Sequence, residues 1–206
     1  MATSSSESSG QDETLADVEQ RASGCVKCEL SENRRSVVFG VGPRNARAMF
    51  VGEAPGKNED EQGEPFVGRA GQFMDKCLKD LDIHRECIYI TNVVKCRPPE
   101  NRDPETEEMD ACEPYLQDQI RLVNPDVIVT MGSVASKRLT RSSKGISQLR
   151  GNWFTFEDRT PVLPTYHPAY LLRQRSAIKK FRRDVRKIFQ KIDRTALMKT
   201  GDGSTS

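Results

Sequence analysis

Three short polar segments hold the residues that could do chemistry, and each of them follows an apolar run. They are GEAPGKNED at 52–60, TNVVKC at 91–96 and HPAYLLR at 167–173. Together they offer carboxylate, amide and imidazole groups, which can bind a polar ligand and move protons. If the apolar runs are neighbouring parallel strands, these groups meet at the sheet edge where α/β proteins bind ligands.

The glycine-rich segment at 52–60 does not fit a phosphate-binding loop. Only three residues separate Gly52 from Gly56, and Asn58 stands where that motif requires Ser or Thr. The segment also holds three acids, which are Glu53, Glu59 and Asp60. With the aromatic Phe66 in the next loop, they would line a pocket that suits a flat, polar ligand such as a base.

Four of the six cysteines form a possible metal site. Cys25 and Cys28 are a CxxC pair, Cys96 follows an apolar run, and Cys112 lies in a segment with helical periodicity. A disulfide framework is disfavoured in a chain of this size without an export signal, whereas intracellular cysteines often bind metals. Four thiolates could hold either an iron-sulfur cluster or zinc, and their spacing does not decide between the two.

The spacing of apolar residues predicts strands that alternate with helices. Predicted strands cover 37–41, 48–52, 88–94, 126–132 and 161–167. Predicted helices cover 70–81, 104–123, 133–139 and 176–192, with Pro104 in a first helical turn. Several strands are apolar throughout, as strands covered on both faces are. The pattern therefore indicates an α/β domain with a mainly parallel sheet.

One domain is expected between two polar tails. The 206 residues, 35% of them hydrophobic, can bury one core and contain no long apolar run. We expect a disordered acidic tail at 1–23, the domain at 24–194 and a second polar tail at 195–206. The first residues lack a basic segment followed by an apolar stretch, so a cytoplasmic location without membrane attachment is expected.

Basic residues are concentrated in the C-terminal third of the chain. Residues 137–194 hold sixteen Lys or Arg against four Asp or Glu, whereas residues 1–24 hold five acids and one Arg. Such a segment favours binding to a polyanion such as nucleic acid, although a basic helix can equally be a solvated face.

Taken in order, these motifs resemble those of the family 4 uracil-DNA glycosylases, the iron-sulfur type. The resemblance runs from about residue 24 to residue 192. It rests on the CxxC pair, GEAPG at 52–56, EPFVGRAG at 64–71, TNVVKCRPPENRDP at 91–104, Cys112, ISQLRG at 146–151 and HPAYLLR at 167–173. It implies a three-layer α/β/α sandwich with a central, mainly parallel, four-stranded sheet.

The resemblance also implies a cofactor, a substrate and a reaction. Cys25, Cys28, Cys96 and Cys112 would hold a structural 4Fe-4S cluster, with no other metal needed for catalysis. The substrate would be uracil in single- or double-stranded DNA, excised by a monomer in base excision repair. Hydrolysis of the N-glycosidic bond would leave an abasic site. Strand cleavage is not expected, because no lysine is placed as a Schiff-base nucleophile.

Three residues would contact the uracil ring in this interpretation. His167 would donate a hydrogen bond to uracil O2 and stabilise the charge that develops on the departing base. Asn92 carries both a donor and an acceptor, so it can pair with the O4 and N3–H edge that cytosine presents in inverse form. Phe66 would stack on the face of the base.

The remaining pocket residues follow the first predicted strand. By resemblance, Glu59 would form a wall against the 5-methyl group of thymine. Glu53 would orient the attacking water and stabilise the cationic sugar. Gly52 and Ala54 would complete the substrate-binding surface.

DNA contact is expected from the segment after His167. Leu171 and Leu172 would supply an apolar wedge that fills the space left by the extruded nucleotide, and Arg173 would meet a phosphate. Either leucine could equally be buried at the start of a helix.

Two other functions stay open. A related branch traps uracil-DNA covalently through a histidine in an inserted basic loop with the sequence KRRIH, whereas residues 133–145 hold SVASKRLTRSSKG without a histidine. The second alternative is a metal-stabilised nucleic-acid-binding module without catalysis. It would explain the cysteines and the basic helix, but it leaves GEAPG, Asn92 and His167 without a role.

Overall fold

Five strands form one central sheet in the computed structural model, which describes residues 13–198. The strands are β1 (Ala48–Gly52), β2 (Tyr89–Asn92), β3 (Val127–Met131), β4 (Phe154–Phe156) and β5 (Thr160–Thr165). Their order across the sheet is β2-β1-β3-β5-β4. Four strands are parallel, and the edge strand β4 pairs with β5 in the antiparallel sense.

Helices cover both faces of this sheet. They are α1 (Leu15–Ser23), α2 (Leu30–Asn33), α3 (Lys57–Gln62), α4 (Arg69–Lys79), α5 (Thr106–Val123), α6 (Ser133–Thr140), α7 (Ile146–Leu149), α8 (Pro168–Arg173) and α9 (Ile178–Arg186). Short 3-10 segments lie at Arg85–Cys87, Pro99–Asn101, Arg175–Ala177, Lys187–Gln190 and Arg194–Leu197. No helix in this described part of the chain is long and apolar enough to cross a membrane.

The strands divide their side chains between two apolar cores, because successive residues of a strand point to opposite faces. On β1, Phe50 packs in a core with buried residues of α4, α8 and α9. Its neighbours Met49 and Val51 pack on the other side with buried residues of α1, α5 and α6. The predicted α/β/α sandwich with a mainly parallel sheet is therefore confirmed, and β4 adds a short fifth strand.

One predicted strand does not form. Residues 37–41 carry the expected apolar run, but only Val41 makes a bridge, to Ile90. Gly40 and Gly42 have φ angles of 148° and 139°, which bend the chain out of a regular strand. A helix also begins later than predicted, since α5 starts at Thr106 behind the capping residue Glu105, and Pro104 precedes it.

Both expected tails contain ordered structure near the domain. Helix α1 lies inside the segment expected to be disordered, and its Val18 and Ala22 are buried. Thr14 and Asp17 cap its first turn by reciprocal hydrogen bonds. This capping pair is a local sequence signal for a helix, but the acidic composition of the segment favoured disorder instead. At the other end Leu197 is fully buried. The expected tail residues 1–12 and 199–206 lie outside the described part of the chain.

Candidate active site

A cavity of about 540 Å³ opens at the carboxyl ends of β1, β2 and β5. Because the chain crosses from β1 to β2 on one side and to β3 on the other, this edge is where open α/β sheets form ligand sites. The lining residues come from five segments: Glu53, Ala54, Pro55, Gly56 and Glu59; Phe66 and Ala70; Asn92; Pro98, Asn101, Arg102 and Asp103; and His167, Ala169, Tyr170 and Arg173.

Asn92 presents an unpartnered acceptor at the end of β2. Its side chain is 1% exposed, and Oδ1 has no hydrogen-bond partner among the described residues. An unsatisfied buried acceptor costs about 1–3 kcal/mol, so the site suits a ligand that donates a hydrogen bond. Gly52 is paired with Asn92 in register, and a Cβ at position 52 would lie 2.4 Å from Asn92 Oδ1. Gly52 is not among the lining residues, but its lack of a side chain leaves room for the Asn92 amide and the Phe66 ring.

Phe66 is held in an unusual backbone conformation beside the cavity. Its φ is +55°, its side chain is buried, and its ring centroid lies 5.7 Å from that of His167 with a 38° tilt. A Cβ at Gly71 would lie 1.8 Å from Phe66 O, so only glycine allows this close approach. The arrangement places a flat aromatic surface next to the Asn92 amide.

The His167 ring is fixed in one tautomer. As the capping residue of α8 it accepts a hydrogen bond at Nδ1 from the Ala169 N–H, at 3.2 Å. The ring proton therefore sits on Nε2. Burial and the positive charge of Arg173 lower the pKa of His167 to about 4. At neutral pH the imidazole is thus uncharged and can donate through Nε2–H.

Glu59 is a half-buried wall residue, unlike a solvated acid in a charge run. Its Oε1 accepts a hydrogen bond from the Gly68 N–H at 2.8 Å. A Cβ at Gly56 would lie 2.8 Å from Glu59 Oε2, and one at Gly68 would lie 3.1 Å from Oε1. The two glycines leave space for the carboxylate, which is held in one position at the cavity wall.

The carboxyl group of Glu53 has a second acid as its neighbour. Burial is the largest cause, and the adjacent Asp103, within hydrogen-bonding reach, acts in the same direction; together they raise the pKa of Glu53 to about 7. Two carboxyl groups this close hold a proton more tightly than either does alone. Glu53 can therefore exchange a proton near neutral pH.

Asp103 is positioned by an ion pair that anchors its loop. Arg102 donates to both oxygens of the buried Glu108 carboxylate, at 2.8 and 2.6 Å. The same guanidinium donates to the Asp103 carbonyl at 3.0 Å. Glu108 also accepts from the Glu105 N–H at 2.7 Å, so the loop is tied to the first turn of α5. A bidentate pair of this kind fixes direction as well as distance.

Comparison with known proteins gives the chain a family. A model of the uracil DNA glycosylase superfamily matches residues 39–193. The type-4 uracil-DNA glycosylase of Thermotoga maritima is 46% identical over 167 residues, 81% of this chain and 87% of that protein. The type-4 enzyme of Sulfurisphaera tokodaii is 42% identical over 85% of this chain and 84% of that protein. The type-4 enzyme of Saccharolobus solfataricus is also 42% identical, over 80% of each chain. The chain belongs to the type-4 uracil-DNA glycosylases.

The segment after His167 in this type-4 glycosylase forms α8 at the cavity mouth. Leu171 is 0% exposed and packs in the core, whereas Leu172 is 39% exposed. Leu171, which was predicted to contact DNA, is therefore a core residue that belongs to the same apolar cluster as buried residues of α4 and α9. Tyr170 and Arg173 line the cavity, and the Tyr170 ring lies 4.9 Å from that of Tyr166.

The four predicted ligand cysteines of the type-4 chain meet at a second, small cavity. Cys25, Cys28, Cys96 and Cys112 all line it as free thiols, together with Tyr115. Two sulfurs accept hydrogen bonds, Cys96 from Arg34 at 3.4 Å and Cys112 from the Lys95 N–H at 3.3 Å. Within residues 13–198, no group of three or more His, Cys, Asp or Glu side chains is already arranged to hold a metal ion.

A buried cation beside these thiols indicates what kind of group fits the cavity. Lys95 is 1% exposed. Burial lowers the pKa of its amine to about 8, and the neighbouring Cys112 and Cys96 act in the opposite direction. A buried ammonium requires a nearby anion. Four thiolates around an iron-sulfur cluster carry net negative charge, so the donor set fits that group.

One loop at the cavity was given no role from the sequence, and it carries Asn101, Arg102 and Asp103. All three belong to TNVVKCRPPENRDP, a motif noted only as part of the family resemblance. Its prolines on both sides of ENRD are a signal for a rigid loop, and rigid loops commonly carry functional groups. Which of these side chains would face the cavity depends on the Arg102 and Glu108 contact, which the sequence does not reveal.

Proposed function

We propose that this chain is a monofunctional glycosylase that hydrolyses the N-glycosidic bond of uracil in DNA and leaves an abasic site. One observation carries the proposal: the unpartnered Asn92 Oδ1 shares a cavity with the neutral His167 ring and with Phe66. An acceptor, a neutral donor and a flat apolar surface together match a uracil ring.

Base selection is proposed to occur at Asn92. Its Oδ1 accepts from uracil N3–H, and its Nδ2 donates to O4. Cytosine offers an acceptor at N3 and a donor at the 4-amino group, so both contacts become unfavourable. Unpaired polar groups in a buried site cost about 1–3 kcal/mol each, which is enough to reject cytosine.

Bond cleavage is proposed to depend on His167. As the bond between C1′ and N1 breaks, its electron pair passes to uracil, and negative charge grows on O2. The neutral imidazole donates Nε2–H to that oxygen, a role for which its low pKa is suited because the proton stays on the ring. One such donor contributes about 2.7–4 kcal/mol to transition-state stabilisation.

Water addition is assigned to the pair of carboxyl groups. The water oxygen bonds to C1′ of the cationic sugar, and Glu53 in its ionised form takes the released proton. A group with pKa about 7 is matched to this step near neutral pH. Asp103 holds Glu53 in place through their mutual contact.

The other predicted residues are proposed to select and hold the substrate. Glu59 excludes a substituent at C5, and Ala54 lines the cavity beside it. Leu172 fills the vacated stack, and Arg173 meets a phosphate, while the exposed basic residues of α9 add nonspecific attraction. No lysine lines this cavity within the described part of the chain, which supports base removal without strand cleavage.

A 4Fe-4S cluster is proposed at the second cavity, held by Cys25, Cys28, Cys96 and Cys112. When bound, it would crosslink the N-terminal segment, the chain leaving β2 and helix α5. The residues between Cys96 and Cys112 include the loop with Asp103, so this crosslink would support the cavity wall. No chemical step at uracil involves it.

The test is excision of uracil from end-labelled oligonucleotides, single- and double-stranded, by the purified protein. After alkali treatment and a denaturing gel, we expect cleavage at uracil and none at cytosine or thymine. Without alkali the strand stays intact. A heat-stable protein-DNA band would support the covalent-trapping branch instead, and intact strands after alkali would contradict the proposed function.

A further inference from the structure

Lys95 lines the cysteine cavity and also hydrogen-bonds to Asn92, which lines the active-site cavity. Its backbone N–H donates to Cys112 Sγ at 3.3 Å. Its side-chain amine donates to the Asn92 carbonyl at 2.6 Å and to Thr91 Oγ1 at 2.7 Å. Short hydrogen bonds of this kind are typical of a charged donor. A single residue therefore joins the cysteine cavity, through its backbone N–H, to the end of β2, through its side-chain amine.

The charge of this amine has no carboxylate partner. Among residues 13–198, no ion pair is found for Lys95, and its two acceptors are neutral. The side chain is 1% exposed, so water cannot stabilise the charge. Lys95 lines the cavity that the four cysteines share. An isolated buried ammonium is costly, so an anionic group held in that cavity would stabilise it.

The acceptors of Lys95 lie where base selection occurs. Asn92 holds the unpartnered Oδ1 in the active-site cavity, and its carbonyl is fixed by the Lys95 amine. Thr91 Oγ1 in turn donates to the Phe39 carbonyl at 2.8 Å, and the Lys95 carbonyl accepts from the Val38 N–H at 2.8 Å. The last two residues of β2 are thus hydrogen-bonded to a lysine that lines the cysteine cavity.

We propose that Lys95 is a positioning residue that couples the thiolate-held cluster to the base-selecting Asn92. The negative charge of the cluster and its thiolates holds the ammonium, and the ammonium holds the Asn92 peptide. The inference rests on the proposed function and its cluster. Lys95 itself contacts neither uracil nor an iron ligand through its side chain.

The test uses Lys95→Met in the cluster-containing protein. Loss of a positive charge beside the cluster makes its reduced, more negative form less stable, so its reduction potential becomes more negative. Loss of the bond to Asn92 lowers single-turnover excision about tenfold, or about 1.4 kcal/mol, with the dissociation constant for DNA unchanged. The potential is measured by redox titration, and a merely structural lysine would not shift it.

Matched variants separate the possible outcomes. Lys27→Met removes an exposed lysine near the same cysteines, and solvent screening should leave the potential at the wild-type value. Lys95→Gln keeps a donor of similar length and guards against misfolding of the Met variant; it should show the same change in potential. A wild-type potential in either Lys95 variant overturns the proposal. Colourless wild-type protein that excises uracil also overturns it, while the glycosylase function stands.

Discussion

The carboxyl groups of Glu53 and Asp103 lie within hydrogen-bonding reach of each other at the cavity wall, although fifty positions separate them in the chain. Glu53 follows β1, and Asp103 lies on the loop that Arg102 and Glu108 anchor to α5. The contact brings two acids to the place where a water must lose a proton, and the pKa of Glu53 is raised to about 7 as a result of burial and of Asp103.

Replacing Asp103 should therefore shift the pH dependence of excision. Because Glu53 acts in its ionised form, the wild-type rate rises with pH through about 7. Asp103→Asn removes the neighbouring charge, so the pKa of Glu53 falls and the rising limb moves to lower pH. At pH 6 the share of ionised Glu53 then increases by up to about tenfold. Single-turnover rates from pH 5 to 8.5 would measure this change.

Other charged groups at the cavity bear on that experiment. Glu59, Arg102, Arg173 and His167 also line it. The pKa of His167 is lowered to about 4, so its titration lies below this pH range. Asp110→Asn is the control, since Asp110 is exposed and pairs with Arg138 away from the cavity. An unchanged midpoint in Asp103→Asn would show that Asp103 does not act on Glu53.

Glu59 should set the selection against 5-substituted uracils. In the wild-type protein, the Gly68 N–H holds the Glu59 carboxylate at the cavity wall. Glu59→Ala removes that side chain and opens space there. We expect thymine or 5-bromouracil to be excised about tenfold or more faster relative to uracil, since exclusion of one methyl group contributes 10–200-fold. Competition assays with Glu61→Ala as the surface control would measure the ratio. Identical selectivity in the two variants would remove Glu59 from this role.

Gly52 is expected to tolerate no side chain. A Cβ at this position would lie 2.4 Å from Asn92 Oδ1 and 2.5 Å from Phe66 Cζ, so both groups must shift. A displacement of about 1 Å at a reacting site costs on the order of 100-fold in rate. Gly145→Ala is the matched control, because nothing lies within 4 Å of its Cβ. Equal excision rates for the two alanine variants would contradict the geometry.

The two neighbouring leucines of α8 should have different effects. Leu171→Ala leaves a hole in the core and should lower the free energy of unfolding by about 2–5 kcal/mol. Leu172→Ala should leave stability nearly unchanged and slow excision from duplex DNA more than from single-stranded DNA, because only the duplex requires a wedge. Urea unfolding and excision assays on both variants test this. Slower duplex excision in a fully stable Leu171→Ala would reverse the assignment.

Much of the fold could be predicted because apolar runs and strand ends are local properties. β1, β2, β3 and β5 appear near the predicted positions, and their polar ends meet as expected. The failures are also local in cause: the φ angles of Gly40 and Gly42 and the three-residue length of β4 are not encoded in hydrophobicity. Helix α1 was hidden by its acidic composition, although its capping residues were visible.

The site was predictable in its residue types but not in its contacts. Glu53, Asn92 and His167 could be selected because each lies at the end of a strand or just after it. The position of Asp103 could not be predicted, since it depends on the ion pair between Arg102 and Glu108. The burial of Leu171 could not be predicted either, since it depends on which face of α8 packs on the core. The role of Lys95 also follows only from its burial between two sites.

The most direct test of the proposed mechanism is the single-turnover excision rate of His167→Ala on a uracil-containing oligonucleotide. We expect a fall of about 10²–10³ in rate with DNA binding largely kept, because the donor to uracil O2 is lost. His84→Ala, the variant of the only other histidine, should excise at the wild-type rate. A normal rate for His167→Ala would instead show that this imidazole does not stabilise the charge on the departing base, which removes it from the mechanism.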